Sequence, residues 1–190
     1  MNNEAKHEHW EKVFSVIEQS YSIDEHFDFF NWMQESVNKV LPHSVLLTSW
    51  GNFTKNHQKN KLSYNVASTL SGVSKQFISD NSDEVDSVIV QLHQAWLNNN
   101  RCWFALNNLD VIVATKQSDA DLINQVQKNL SFIQREKLKS MLVYGVSDKR
   151  GSNECLYVFF SKLEVFEVRD SVLSLIMPYI DNVLRKIQHL

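Results

Sequence analysis

Two cysteines, seven histidines and scattered carboxylates are the groups of this chain that could carry chemistry. Cys102 with His93 or His43 would make a thiolate–imidazole pair, the arrangement that activates a nucleophilic cysteine. Nothing in the sequence places them together, and Cys102, between Arg101 and Trp103, reads better as a buried strand cysteine. His7, Glu8 and His9 gather metal-ligating types at the N-terminus. Immediate neighbours on a helix do not face each other, so a solvated first turn is the simpler reading. No H-E-x-x-H or C-x-x-C spacing marks a zinc site. Asp119 and Asp121 stand at a helix start, where capping and dipole compensation explain them. There is no G-x-S-x-G, phosphate loop or G-x-G-x-x-G. The expectation is a chain with no catalytic residues, metal or cofactor.

The aromatic residues say more. Trp50, Tyr64, Trp96, Trp103, Phe104, Tyr144 and Tyr157 fall on expected strands or on the helix facing them. Trp and Tyr join a large apolar body to one polar handle, which suits a small-molecule pocket. Trp50, Tyr64, Trp96, Trp103 and Tyr144 are the candidate ligand-binding residues; an aromatic core without a cavity is the alternative. Near the C-terminus, Val172, Ile176, Tyr179, Val183 and Ile187 form an apolar stripe that is the candidate dimerisation face. The alternative is that the chain's own sheet covers that stripe.

The elements that would position these residues follow from periodicity. Trp10, Val13, Phe14, Ile17 and Tyr21 recur at helical spacing. Ser22 and Glu25 have the spacing of a capping box, opening a second helix with the stripe Phe27, Phe30, Met33, Val37 and Val40, which Pro42 ends. Val45 to Trp50 reads as a strand and, across a polar turn, Leu62, Tyr64 and Val66 alternate as its hairpin partner. Residues 68–81 carry no clear pattern. Asp83 to Leu97 is a helix with Val85, Val88, Ile89, Leu92 and Trp96 inward. Cys102 to Leu106 and Val111 to Ala114 read as short strands, and Ser118 to Asn129 as a helix. Met141 to Val146 and Cys155 to Phe160 form a second hairpin across Asp148 to Asn153. A long helix closes the chain, and Pro178 should kink it. This order predicts an α+β fold with a central antiparallel sheet, helices on its faces and a long C-terminal helix.

The 190 residues suffice for one domain, 1–190. Hydrophobic residues make up 43% and charged residues 22%, the balance of a globular chain. The net charge of −3 lacks the basic excess of a nucleic-acid binder. Met1 to Glu8 has neither the basic nor the apolar region of a secretory signal, and no apolar run approaches the roughly 18 residues of a membrane span. Two distant cysteines without a signal read as buried thiols in a reducing cytoplasm, with one disulfide as the alternative. A cytoplasmic protein with no membrane partner is expected.

Phe29-Phe30-Asn31-Trp32-Met33-Gln34, Leu41-Pro42-His43, a strand ending at Trp50-Gly51, Trp96 late in the third helix, Tyr144-Gly145-Val146 and Met177-Pro178-Tyr179-Ile180 occur in this order. Together they resemble the N-terminal domain of EpsA-like regulators, LuxR-type transcription regulators linked to exopolysaccharide and exosortase gene clusters. The resemblance implies a GAF-like or autoinducer-domain-like layered α/β/α sensor. It also implies a homodimer, a small-molecule ligand, and DNA binding only through a following helix-turn-helix domain absent from these 190 residues. Tyr144-Gly145 stands where the family pattern has His-Gly, and the Trp/Tyr/Asp set of acyl-homoserine-lactone receptors is missing. A stand-alone protein-interaction adaptor is the second reading.

Overall fold

Strands form where the sequence concentrates β-branched and aromatic residues. They are β1 (Val45–Gly51), β2 (Ser63–Ser68), β3 (Phe104–Leu106), β4 (Ser140–Val146) and β5 (Glu154–Ser161), in one antiparallel sheet of order β2-β1-β5-β4-β3. The structure is a computed structural model and describes residues 3–53, 62–109, 117–147 and 154–188. Both expected hairpins are present as strand pairs, with Leu47 opposite Val66 and Val143 opposite Val158. What unites them is β1 against β5, Leu47 opposite Val158, a long-range pairing that no local pattern announces. The expected strand at Val111 to Ala114 and the connection Asp148 to Asn153 lie outside the described residues. The mixed α+β class with a central antiparallel sheet and a C-terminal helix is as the sequence predicts.

The helices are α1 (Asn3–Ser20), α2 (His26–Trp32), α3 (Asn38–Val40), α4 (Lys75–Asp80), α5 (Ser82–Asn98), α6 (Gln117–Asn129), α7 (Phe132–Arg135) and α8 (Asp170–Gln188). The chain divides into two compact units, one His43–Phe166 and the other Met1–Pro42 with Glu167–Leu190.

In His43–Phe166, one sheet face joins α5 and α6 in a single apolar cluster. Leu47, Leu156, Val158, Phe160, Met141 and Val143 meet Val85, Val88, Ile89, Leu92 and Trp96 of α5 and Val126 of α6. The inward stripe expected for α5 is the one observed. The unpatterned stretch after β2 holds α4, which starts because the Ser74 hydroxyl oxygen accepts the Phe77 N–H at 3.1 Å. One turn and a half of helix is too short to show a period, and α7 escapes notice for the same reason.

The other unit corrects two expectations. Along α1, Val13 and Val16 are fully buried, whereas Phe14, and Tyr21 just after the helix, both expected inward, are 55% and 72% exposed. Val13 and Val16 adjoin Trp10, Phe14 and Ile17 in one broad apolar arc of this helix, so the period does not select which edge is buried. The capping box does not form either. Ser22 Oγ donates to the Gln19 carbonyl at 2.9 Å, and Glu25 precedes α2 without a side-chain bond to it.

Phe27 is 71% exposed, while Phe29 and Trp32 are buried, with Trp32 Nε1 donating to the Val16 carbonyl at 3.2 Å. Between α2 and α3 the chain makes a π-helical turn, Met33–Val37. Met33, Val37 and Val40 of the expected stripe are buried, but its first member is not Phe27: at four residues before Met33 the α-helical period brings Phe29 to that face. The helix ends before Pro42, as expected. In α8 the buried residues are Val172, Leu173, Ile176, Met177, Ile180, Val183, Leu184 and Ile187. Pro178 is exposed, so the hydrogen bond it cannot make is lost on the side open to water.

Candidate ligand site

The pleat sorts the candidate aromatic residues. Residues directly opposite in neighbouring strands share a face, and successive residues alternate. Tyr64, Ser49, Leu156 and Gly145 are mutual partners across β2, β1, β5 and β4 and form one row. That row lies on the face carrying Leu47, Val143 and Val158, the face of the α5–α6 cluster. Trp50 and Tyr144 alternate with it and point to the opposite face. Trp103 precedes β3 and lies outside the cluster. Of the five candidates, Tyr64 and Trp96 alone share a side, at the two ends of a row about 14 Å long at about 4.8 Å per strand.

Trp96 is the centre of the site. Its indole lies against Gly145 so closely that a Cβ there would fall 2.6 Å from Cζ2. Only glycine leaves β4 flat enough for the ring. Trp96 is 2% exposed, and its Nε1 has no hydrogen-bond partner among the described residues. A buried donor left unpaired costs about 1–3 kcal/mol, a cost that an acceptor brought in from outside would remove.

Polar groups gather beside the indole. His93, one turn earlier on α5, is buried and stacks on Phe53 with ring centroids 4.2 Å apart. His93 Nε2 lies 2.6 Å from Glu154 Oε2 at the start of β5. Burial holds the imidazole below its ordinary value of 6.5, the Glu154 carboxylate pulls it up, and the Arg101 guanidinium pushes it down again. Arg101 follows α5 in a left-handed conformation, φ 61°, its N–H held by the Trp96 carbonyl at 2.9 Å. Its guanidinium sits 5.8 Å over the Trp96 ring, reaches Ser147 Oγ at 3.2 Å and lies 3.9 Å from Glu154 Oε1. At the far end of the row, Tyr64 donates its hydroxyl proton to Asp86 of α5. Burial pushes that hydroxyl well above the ordinary tyrosine range, and the bond to Asp86 adds to the effect.

The remaining candidates fall elsewhere. Val172, Ile176, Val183 and Ile187 of the expected dimerisation stripe are buried inside their own chain, and Tyr179 is half-buried with its ring edge-on to Tyr21. Cys102 is exposed rather than buried, because α5 ends in a left-handed turn at Asn100 and Arg101 and β3 starts only at Phe104; Cys155 is the buried thiol, and the two are not joined in a disulfide. His93 is committed to Glu154, and His43 packs edge-on to Phe159. Among the described residues no group of three metal-ligating side chains converges, and no helix is long and apolar enough to cross a membrane.

Sequence reasoning missed His93 with Glu154, Arg101, Phe53 and Gly145. A histidine on the apolar stripe of α5, four residues after Ile89 and three before Trp96, was the one signal available. Its partner is 61 residues away, and only the folded sheet brings it there.

No family model matches the chain, and no curated protein sequence is significantly similar to it. Among solved structures, the fold is similar to that of the N-acylhomoserine lactone dependent LuxR family transcription factor CepR2 from Burkholderia cenocepacia. The two superpose with a TM-score of 0.53 at 7% identity, over 95% of this chain and 96% of that one.

Proposed function

We propose that the chain is a ligand-sensing regulatory domain of a LuxR-type transcription regulator. The observation that carries this reading is the buried Nε1 of Trp96, unpaired among the described residues, on the sheet face covered by α5 and α6. A small molecule presenting a hydrogen-bond acceptor would pair with that donor and lie along the row from Gly145 toward Tyr64. The fold shared with a LuxR family transcription factor supports a regulatory rather than a catalytic role.

In its finer form the proposal is of a cytoplasmic homodimer acting on exopolysaccharide biosynthesis genes. The motif order set out above supports it, and DNA contact is left to a helix-turn-helix domain outside these residues. Trp50, Trp103 and Tyr144 belong to the proposal less directly, since two of them point to the opposite sheet face. The exposed Phe14, Tyr21 and Phe27 favour one other reading, an adaptor that docks a protein through this surface.

Native mass spectrometry of the purified chain, set against its denatured mass, tests the ligand. The expected result is extra non-covalent mass that is lost in Trp96→Phe. Extra mass that Trp96→Phe retains would place the ligand elsewhere. An unchanged mass, with no shift in melting temperature across a library of small carbonyl compounds, would sink the sensor reading.

A further inference from the structure

The charged groups around Trp96 form a chain. His93 Nε2 meets one carboxylate oxygen of Glu154 at 2.6 Å, and Arg101 approaches the other at 3.9 Å. Arg101 also lies over the indole and reaches Ser147, so it covers the Trp96 ring and ties the end of α5 to the end of β4. Apart from Glu154 and Arg101, the ring neighbours of His93 are neutral: Phe53 stacks on it, and Trp96 of the same helix lies 5.6 Å away. Asp86, two turns earlier on α5, is bonded to Tyr64.

With His93 neutral, the three groups carry one negative and one positive charge, and Glu154 is shared. A proton on His93 makes the total positive. The imidazolium then competes with Arg101 for one carboxylate at much shorter range, and the two cations repel each other across it. The Arg101 side chain is more than half exposed and is the member free to leave.

We propose that His93, Glu154 and Arg101 form a proton-operated latch over Trp96: when His93 takes a proton, Glu154 turns to it and Arg101 releases the indole. The Trp96 donor is then reachable in mild acid and covered above neutrality. The latch acts on the donor assigned to the ligand above, but it operates without a ligand and is tested without one.

The test is a titration of the full chain, as purified, from pH 8 to pH 5 by 1H–15N NMR. The indole Nε1–H of Trp96 is identified by its loss in Trp96→Phe, and the Arg101 Nε–H by its loss in Arg101→Gln. The expected result is that both signals move on one curve with a midpoint below 6.5. His93→Gln flattens the curve, Arg101→Gln raises the Trp96 midpoint, and Glu154→Gln lowers it. Static signals, a curve that survives His93→Gln, or a midpoint indifferent to Arg101→Gln would overturn the latch. Should His93→Gln fail to fold, Arg101→Gln still decides, since its side chain is exposed. A moving Trp96 signal in a protein that binds nothing keeps the latch and removes the sensor; a bound ligand over a static signal does the reverse.

Discussion

At the scale of single residues, His93 is where burial and charge oppose each other most directly. It sits on the apolar face of α5, and its desolvation outweighs the carboxylate beside it. The folded chain therefore binds the His93 proton more weakly than the unfolded chain, whose imidazole titrates near 6.5. In the window below about 6.5 the unfolded state holds more protons, so folding stability falls as the pH drops. The loss begins at the unfolded value and levels off beneath the lower folded value. Urea unfolding at pH 8, 7, 6 and 5 should show it as a decline in the native chain relative to His93→Gln. Parallel declines in the two proteins would show that His93 is not a source of the pH dependence. The same residue explains why the site was hard to see in advance. A histidine on an apolar stripe is visible in the sequence, but the glutamate that makes it matter is at the start of β5, 61 residues away.

At the scale of elements, what the sequence made legible is what depends on local period. The strands of both hairpins, α5, α6 and α8 stand within a few residues of where alternation or helical spacing predicts them. The misses share a physical cause, since each depends on something other than local period. On α2 several apolar residues stand close together, and packing against α1, where Trp32 Nε1 reaches the Val16 carbonyl, buries Phe29 and Trp32 and leaves Phe27 exposed. On α1 the exposed aromatic stripe and the buried valine stripe adjoin, so tertiary contact alone separates them. The sheet faces of Trp50 and Tyr144 depend on register, which changes side with a shift of one residue. The eight buried residues of α8 spread over a wider arc than a narrow pairing seam, the mark of a helix committed to its own chain. Removing one of them should be felt as core loss. Ile176→Ala is expected to destabilise the protein by about 2–5 kcal/mol. Phe14→Ala on α1, at an exposed position, is expected to change stability by less than about 0.5 kcal/mol. Urea unfolding of both variants measures the contrast, and equal effects would contradict the burial assigned to α8.

At the scale of the whole molecule, assembly has to use surface that folding leaves over. Four of the five residues first expected to pair two copies, Val172, Ile176, Val183 and Ile187, are inside the chain, so a dimer built from those four would require α8 to leave its place. Among the described residues, the large apolar side chains left exposed are Phe14, Tyr21 and Phe27 at the first two helices and Leu163 and Val165 after β5, and the first group is the larger. Trp10, Phe14 and Ile17 follow one another at i, i+4 and i+7 along α1, the line continues to Tyr21, and Phe27 stands exposed on α2. A contiguous line of apolar side chains, unlike single scattered ones, is the kind of surface that marks an interaction site. In a two-fold dimer the same patch meets itself, so each substitution is present on both sides of the interface and acts twice. If the homodimer proposed above forms through this surface, Phe14→Glu with Tyr21→Glu should place four carboxylates in one apolar contact. Sedimentation velocity at tens of micromolar is then expected to show a dimer for the native chain and a monomer for the double variant. The unfolding midpoint extrapolated to low protein concentration should stay unchanged, because both side chains are exposed in the single chain. A native chain that sediments as a monomer would remove the dimer. A double variant that remains dimeric would move the interface off α1 and back to the exposed side of α8.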